Sequence, residues 1–404
     1  MSNTEEETTL PSNQDSVASQ IKPGVLAGNI GKPILLTDVN LAGVSAHPAR
    51  GGEQVQIWVR LALTSDDRIF HQIASDLANV IENHAQQAGK HIRINRAETV
   101  LLVIKADNSA ELWVDTAAVA HKCMIKRSMK AGSIVFESDI ADVTGMYFPR
   151  VDITRTDKVL CLFRQDWRFA LYFDFNHDGC LDLDLFTTTL GSLYRNLRYR
   201  HLYDALANEE VFDKLLLSGW FPFVEIITSD FKELVSCIES GFELTDTETG
   251  LCSKFDEKRL TRMFDRWVQK PHFSAREPLL KAAVNAFLAQ EPVAVIKIVL
   301  TEIEGIMNDA YKKAHGKGAK IKKLLEFAVS SAERKVGQPD TLFFTAAFAK
   351  YLTTYTFANF DPKKEDGTAG SRHAVGHGAA RSDSYTMCRA LQAILTLDQI
   401  AFYI

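Results

Sequence analysis

The feature that most constrains this chain is the place where one hydrophobic rhythm gives way to another. Up to about residue 180, apolar residues recur at every second position in short runs; beyond it they recur at helical spacing and strand signals stop. A period of two buries one face of a sheet and a period near 3.6 buries one stripe of a helix, and a segment cannot satisfy both. The chain is therefore expected to be α+β: an N-terminal mixed β-sheet domain with a packed helix, followed by an all-α region that ends in a helical bundle. At 404 residues it exceeds one comfortable core. It divides into a polar, acidic tail expected to be disordered (1–25), a mixed α+β domain (26–184), a helical linker region (185–273) and the bundle (274–404).

Within the first domain, residues 33–39 read as a strand, and Val55, Ile57, Val59, Leu61 and Leu63 alternate with more polar neighbours as in a half-buried strand. Ser65 and Asp66 are placed to cap a helix running to Gln87, with Ile69, Phe70, Ile73, Leu77, Val80 and Ile81 as its apolar face. Residues 99–105 and 111–115 flank a turn at Asp107 and Asn108; further strands are expected over 119–125, 133–137, 159–163 and 168–175. No glycine-rich phosphate loop follows any of them, which argues against a nucleotide-binding sheet. Residues 174–179 match the first half of a calcium loop, but the position that should supply a bidentate glutamate is Leu185. A turn is favoured there, and no metal or cofactor is assigned. The six cysteines are scattered without a Cys-x-x-Cys pair, which suits reduced, buried thiols.

In the helical part, the basic and aromatic stretch 195–201 is either a solvated helix face or a nucleic-acid contact, the former favoured. Trp220, Phe221 and Phe223 around Pro222 read as a packing plug between domains, with a ligand pocket as the alternative. Helices are expected near 275–290, 292–315, 319–336 and 340–358, and an amphipathic one over 383–403. The net charge of −5 excludes a chain coated in nucleic-acid-binding charge but not a local basic site. No apolar run reaches the roughly 18 residues of a membrane helix, and the N-terminus lacks a signal-peptide pattern. A cytoplasmic location with no membrane partner is expected.

Between the last two helices lies a stretch dense in chemistry, residues 371–378, holding Arg372, His373, Gly376, His377 and Gly378. Arginine offers a planar fork of donors suited to phosphate, and histidine moves a proton near neutral pH. Five positions apart, Arg372 and His377 diverge by roughly 140° on one straight helix. They converge within one chain only if the helix bends or starts between them, which Gly376 and Gly378 would permit. The plain alternative is a loose loop whose Arg and His cap neighbouring helices.

The Arg372-x4-His377 spacing, with the polar His373 after the arginine and helices on both sides, resembles the Arg-x(4–6)-His signature of HEPN domains over about residues 275–404. Many HEPN domains are helical, metal-independent endoribonucleases of toxin, antiphage and RNA-processing systems. The resemblance implies that Arg372 and His377 are catalytic, that His373 orients the backbone or the partner histidine, and that two subunits pair so both motifs line one cleft. It further implies an acidic residue on an earlier helix that holds the arginine. Glu304 is the choice, with Glu302 and Asp309 as competitors. Lys312, Lys313, Lys317, Lys320, Lys322 and Lys323, clustered at a helix–helix joint, are either an RNA-backbone site or a solvated turn. The expected function is an RNA-cleaving homodimer, with a non-catalytic interaction or RNA-binding module as the alternative. Architecture alone gives the N-terminal domain a sensing role toward a regulatory ligand or partner.

Overall fold

The structure is a computed structural model and describes residues 28–359 and 367–404. The expected tail at 1–25, and residues 361–366 of the loop before the motif, lie outside the described residues. The strands are β1 Ile34–Leu36, β2 Val44–Ser45, β3 Ile57–Trp58, β4 Arg60–Thr64, β5 Thr99–Ile104, β6 Ala110–Val114, β7 Ala120–Ile125, β8 Ile140–Tyr147, β9 Lys158–Gln165 and β10 Arg168–Asp174. Helix α1, Phe70–Gln87, lies between β4 and β5. After the strands come α2 Leu183–Arg198, α3 Arg200–Ala207, α4 Glu209–Ser218, α5 Ser229–Glu239, α6 Thr245–Ser253, α7 Glu257–Val268 and α8 Pro271–Ser274. The chain then continues through α9 Glu277–Leu288, α10 Pro292–His315, α11 Ile321–Val336, α12 Thr345–Tyr351, α13 Arg372–Gly376 and α14 Met387–Tyr403. Strands first and helices after, the chain is α+β. Among the described residues no helix is long and apolar enough to cross a membrane.

Six strands form one sheet in the order β1-β6-β5-β9-β10-β4, and every pairing is antiparallel, where a mixed sheet is expected from sequence. The period of two sends alternate residues of β5 to opposite faces. Val100, Leu102 and Ile104 join Phe70, Ile73, Leu77 and Ile81 of α1, while Leu101 and Val103 join Phe186, Leu190, Leu193 and Leu197 of α2. The sheet is thus covered on both sides. Helix α2 also lies on β8 at very close range: a Cβ on Gly191 would stand 2.5 Å from the Gly145 Cα, so only glycine facing glycine lets the helix sit there.

Two local expectations are corrected. Helix α1 starts at Phe70 with Ile69 as its N-cap rather than at Ser65 or Asp66, because the Ser65 hydroxyl accepts from the Phe169 N–H of β10 instead. Residues 133–137 form no strand; Ile134, Val135 and Phe136 are exposed, and the partner of β7 is β8. The turn at 174–179 leads from β10 into α2, and its acids serve Arg60, which pairs with Asp174 at 2.6 Å and Asp178 at 3.1 Å.

One hydrophobic core runs through the helices from Tyr199 to Tyr403, so segments on both sides of residue 274 share it. Its axis is α14. The expectation of an amphipathic last helix is wrong: every residue from Ala390 to Tyr403 is buried, Gln392, Thr396, Asp398 and Gln399 included. Trp220, Phe221 and Phe223 are buried in the same core, with Phe221 against Phe348 and Tyr351.

The stretch 195–201 is neither a solvated face nor open to nucleic acid at its start. Arg195 is fully buried, bonded to the Val143 carbonyl of β8 and to Asp340 at 2.7 Å, and Tyr199 is buried as well. Beside it, buried Asp142 of β8 accepts from the Thr341 hydroxyl at 2.5 Å and the Leu342 N–H at 3.2 Å, locking the β7–β8 hairpin to the helical body. Burial raises the Asp142 carboxyl to about 6, although Arg195 and these hydrogen bonds oppose the rise. An unfolded aspartate titrates near ~3.9, so the folded chain holds this proton more tightly than the unfolded one. The stability it contributes is full below pH ~4 and is lost as pH rises through about 6. Asp142→Asn, a neutral mimic of the protonated acid, is expected to gain about 3 kcal/mol on the native chain between pH ~4 and ~7 in urea unfolding. A stability difference that stays flat across that range would contradict this account.

Candidate functional site

The motif forms a single helical turn. Ser371 is the N-cap of α13: its hydroxyl accepts from the Ala374 N–H at 3.3 Å and donates to the Ala358 carbonyl at 2.7 Å. The turn ends at its C-cap, His377, not between the two motif residues. Gly378 adopts φ +69°, its N–H reaches the Val375 carbonyl at 3.2 Å, and the Ala379 N–H reaches the Ala374 carbonyl at 2.8 Å. This paired-bond ending needs a left-handed residue just past the C-cap, which is His377. Gly376 is the last helical residue and makes no bend. The expected kink is therefore absent. His377 stays in register, its N–H bonded to the His373 carbonyl at 3.1 Å. Residues four apart share a face, so His377 lies over His373, and the Arg372 guanidinium lies along Gly376, with Nη1 3.8 Å from where a Cβ would stand. Positions five apart on an ideal helix point roughly 140° apart, and α13 has no bend to bring Arg372 and His377 together. His373 is half-buried, edge-on to Phe357 at 6.5 Å, and His377 is exposed.

Arg372 is oriented by Glu304. Its Nη2 stands 2.8 Å from the Glu304 Oε2 on α10, with the two side chains 31% and 37% exposed. A pair this open adds little to stability, and its effect is to aim the guanidinium. The competing acids are occupied elsewhere. Arg276, at the start of α9, lies across α10 and pairs with Glu302 at 2.5 Å and Asp309 at 2.7 Å. Gly305 makes that crossing feasible, since a Cβ there would stand 2.8 Å from the Arg276 guanidinium.

Lys312 and Lys313 end α10, Lys317 lies in the following loop, Lys320 is the N-cap of α11, and Lys322 and Lys323 are in its first turn. All six are exposed, and none forms an ion pair among the described residues. The loop folds back onto α10, where the Asn308 side-chain oxygen accepts the Ala319 N–H at 3.1 Å. Asn308 lies one turn beyond Glu304, which brings Lys317 and Lys320 toward the Arg372 side of the helix. Lys312 is eight residues from Glu304, roughly 12 Å along the axis.

Sequence reasoning missed an aromatic wall beside these lysines. Tyr311 and His315, four apart on α10, stack with ring centroids 4.1 Å apart and 15° between planes, and Phe327 of α11 meets both edge-on at 5.5 Å. At about 100° per residue, Tyr311 and His315 fall on the same stripe of α10 as Glu304. The rings line a groove of about 460 Å³ that also takes in Lys323 and Arg334. The Tyr-x3-His spacing is visible in the sequence; its partner Phe327 is on another helix and is not. No family of known proteins, no curated protein and no solved structure matches this chain.

Proposed function

We propose that the chain is a metal-independent endoribonuclease of the HEPN type. The observation that carries the reading is the Glu304–Arg372 ion pair, which holds a guanidinium on the same face of α10 as the stacked Tyr311 and His315, with six exposed lysines farther along α10 and into α11. The lysines would hold an RNA backbone without regard to sequence, and the rings would stack on bases. His377 takes the proton of a 2′-hydroxyl as that oxygen attacks the adjacent phosphorus, or gives one to the departing 5′-oxygen. Arg372 binds the phosphoryl oxygens on which charge builds. Because the two side chains leave one helical turn in different directions, a complete site takes Arg372 of one copy and His377 of another across a two-fold axis. Defence or toxin-type action, and regulation through the N-terminal domain, belong to the same proposal.

A second reading, a non-catalytic RNA-binding module, is favoured by that same divergence of Arg372 and His377 within one chain. Cleavage separates the two. Incubated with total RNA in EDTA, the chain is expected to cut, and His377→Ala to lose cutting by at least about a hundredfold while still binding RNA. Binding with no cutting by the unaltered chain supports the second reading. Glu304→Gln frees the guanidinium and is expected to slow cutting roughly ten- to a hundredfold with RNA affinity unchanged; equal loss of affinity would make Glu304 part of the binding surface instead. Replacing Lys317, Lys320 and Lys323 by Ala is expected to lower the slope of log K against log salt by about 0.7 per lysine. An unchanged slope would show that the RNA lies elsewhere.

A further inference from the structure

Away from the motif, a second concentration of charge is built into the interior. On α7, Arg259, Arg262 and Arg266 project along one side toward Glu225, which follows the aromatic corner and is 5% exposed. Arg262 donates to the Glu225 Oε2 at 2.8 Å, and Arg266 donates to its Oε1 at 3.0 Å and to the Asp398 Oδ1 at 2.5 Å. Arg259 donates to the Glu225 carbonyl at 2.5 Å. Lys126, just past β7, completes the group. It is only 3% exposed, and its ammonium has no ion pair or hydrogen bond among the described residues. Four cations thus face two carboxylates. The buried Nε atoms of Arg259, Arg262 and Arg266 have no hydrogen-bond partner. Of the neighbours, Arg127 and Asp139 balance each other, whereas Asp230 stands 3.6 Å from Arg259 and, with Glu233, pairs with Lys254, so counting these the excess is one positive charge.

An unpaired ammonium buried against three guanidinium groups is unfavourable unless something neutralises it. Burial lowers the Lys126 pKa to about 8, with Glu225 opposing the fall and the three arginines adding to it. Glu225 is held well below the usual carboxylate range: burial pushes it up, but the surrounding cations outweigh burial. The cluster is reachable. Lys126, Lys258 and Arg262 line two adjoining cavities of about 780 and 560 Å³ between the β7–β8 hairpin and α7.

We propose that this cleft binds a small phosphorylated molecule through its terminal phosphate, with Lys126, Arg259 and Arg262 as the anion-binding groups. An anionic group matches the excess of positive charge. The occupant is small because Lys126 is recessed, while the exposed rim carries Asp256, Glu257 and Asp265 against two lysines, Lys254 and Lys258. Those rim acids repel a polyanionic strand laid across the surface but leave room for one compact anion. The site is formed by residues of the N-terminal hairpin and of the helical body together, and Arg266 links it to α14 through Asp398.

The test is calorimetric titration of the full chain with inorganic pyrophosphate and with inorganic phosphate, against sodium chloride at equal ionic strength. Saturable pyrophosphate binding is expected, weakened about tenfold or more in Lys126→Met. The same variant without ligand is expected to melt at a higher temperature than the unaltered chain, since it removes a buried unpaired charge. Should Lys126→Met not fold, Arg262→Gln carries the same affinity comparison. The proposal is overturned if pyrophosphate binds no better than chloride or if the variant binds it equally well. It is also overturned if only a 5′-phosphorylated oligonucleotide binds, which would make the cleft a site for RNA ends.

Discussion

A carboxylate closed off from water lies at the centre of the helical body. Asp398 of α14 accepts hydrogen bonds from the Arg266 guanidinium at 2.5 Å and the Trp267 indole at 2.7 Å, both on α7. Burial raises its pKa, while Arg266 and Trp267 act against the rise. Taking one partner from such a pair costs about 3–5 kcal/mol, because the other charge is then left in the interior alone. The pair therefore fixes the rotation and depth of α14 against α7. The remaining polar residues of α14 follow the same rule. Gln392 donates to the Ser218 carbonyl and accepts from Tyr355, Thr396 bonds with Tyr351, and Gln399 accepts the Val224 N–H. A helix that is buried all round has no free face, and each polar group on it specifies one neighbour.

The candidate site depends on that arrangement at one remove. Helix α10 packs on α14 and α9 and buries Val295, Ile296, Val299, Leu300, Ile303, Ile306 and Met307, while Glu304, half-exposed at the edge of this stripe, reaches Arg372 of α13. Arg276 ties α10 to the start of α9 by spanning buried Glu302 and half-exposed Asp309. Glu304 then presents a fixed carboxylate to Arg372. Lys312, Lys313 and the stacked Tyr311 and His315 are carried on the same helix.

The sheet is legible in the sequence because its signal is local. Val100, Leu102 and Ile104 alternate with Leu101 and Val103, and a period of two permits no other use of those residues. The role of α14 is not legible, for an equally physical reason. Arg389, Gln392, Thr396, Asp398 and Gln399 look like a solvated face unless their partners are known, and the partners of Asp398 lie more than a hundred positions earlier in the chain. Arg195 is misleading in the same way: among arginines and tyrosines it reads as part of a solvated face, yet it is spent on Asp340 and the Val143 carbonyl. Gly376 and Gly378 read as a hinge, whereas only Gly378 takes a left-handed conformation, and it stops the helix after His377. The choice of Glu304 over Glu302 and Asp309 came from the HEPN resemblance rather than from spacing. The buried cations around Glu225 give no sequence signal beyond three arginines on an amphipathic helix.

The central claim is that one copy's Arg372 works with another copy's His377. The most direct measurement mixes Arg372→Ala chains with His377→Ala chains, after denaturation and refolding together, and assays RNA cutting in EDTA. Heterodimers contain one cleft face with both intact residues in trans, so cutting should reappear at a measurable fraction of the unaltered level although each variant alone is inactive. Cutting that stays at the level of the separate variants, with heterodimers verified by mass, would contradict the account.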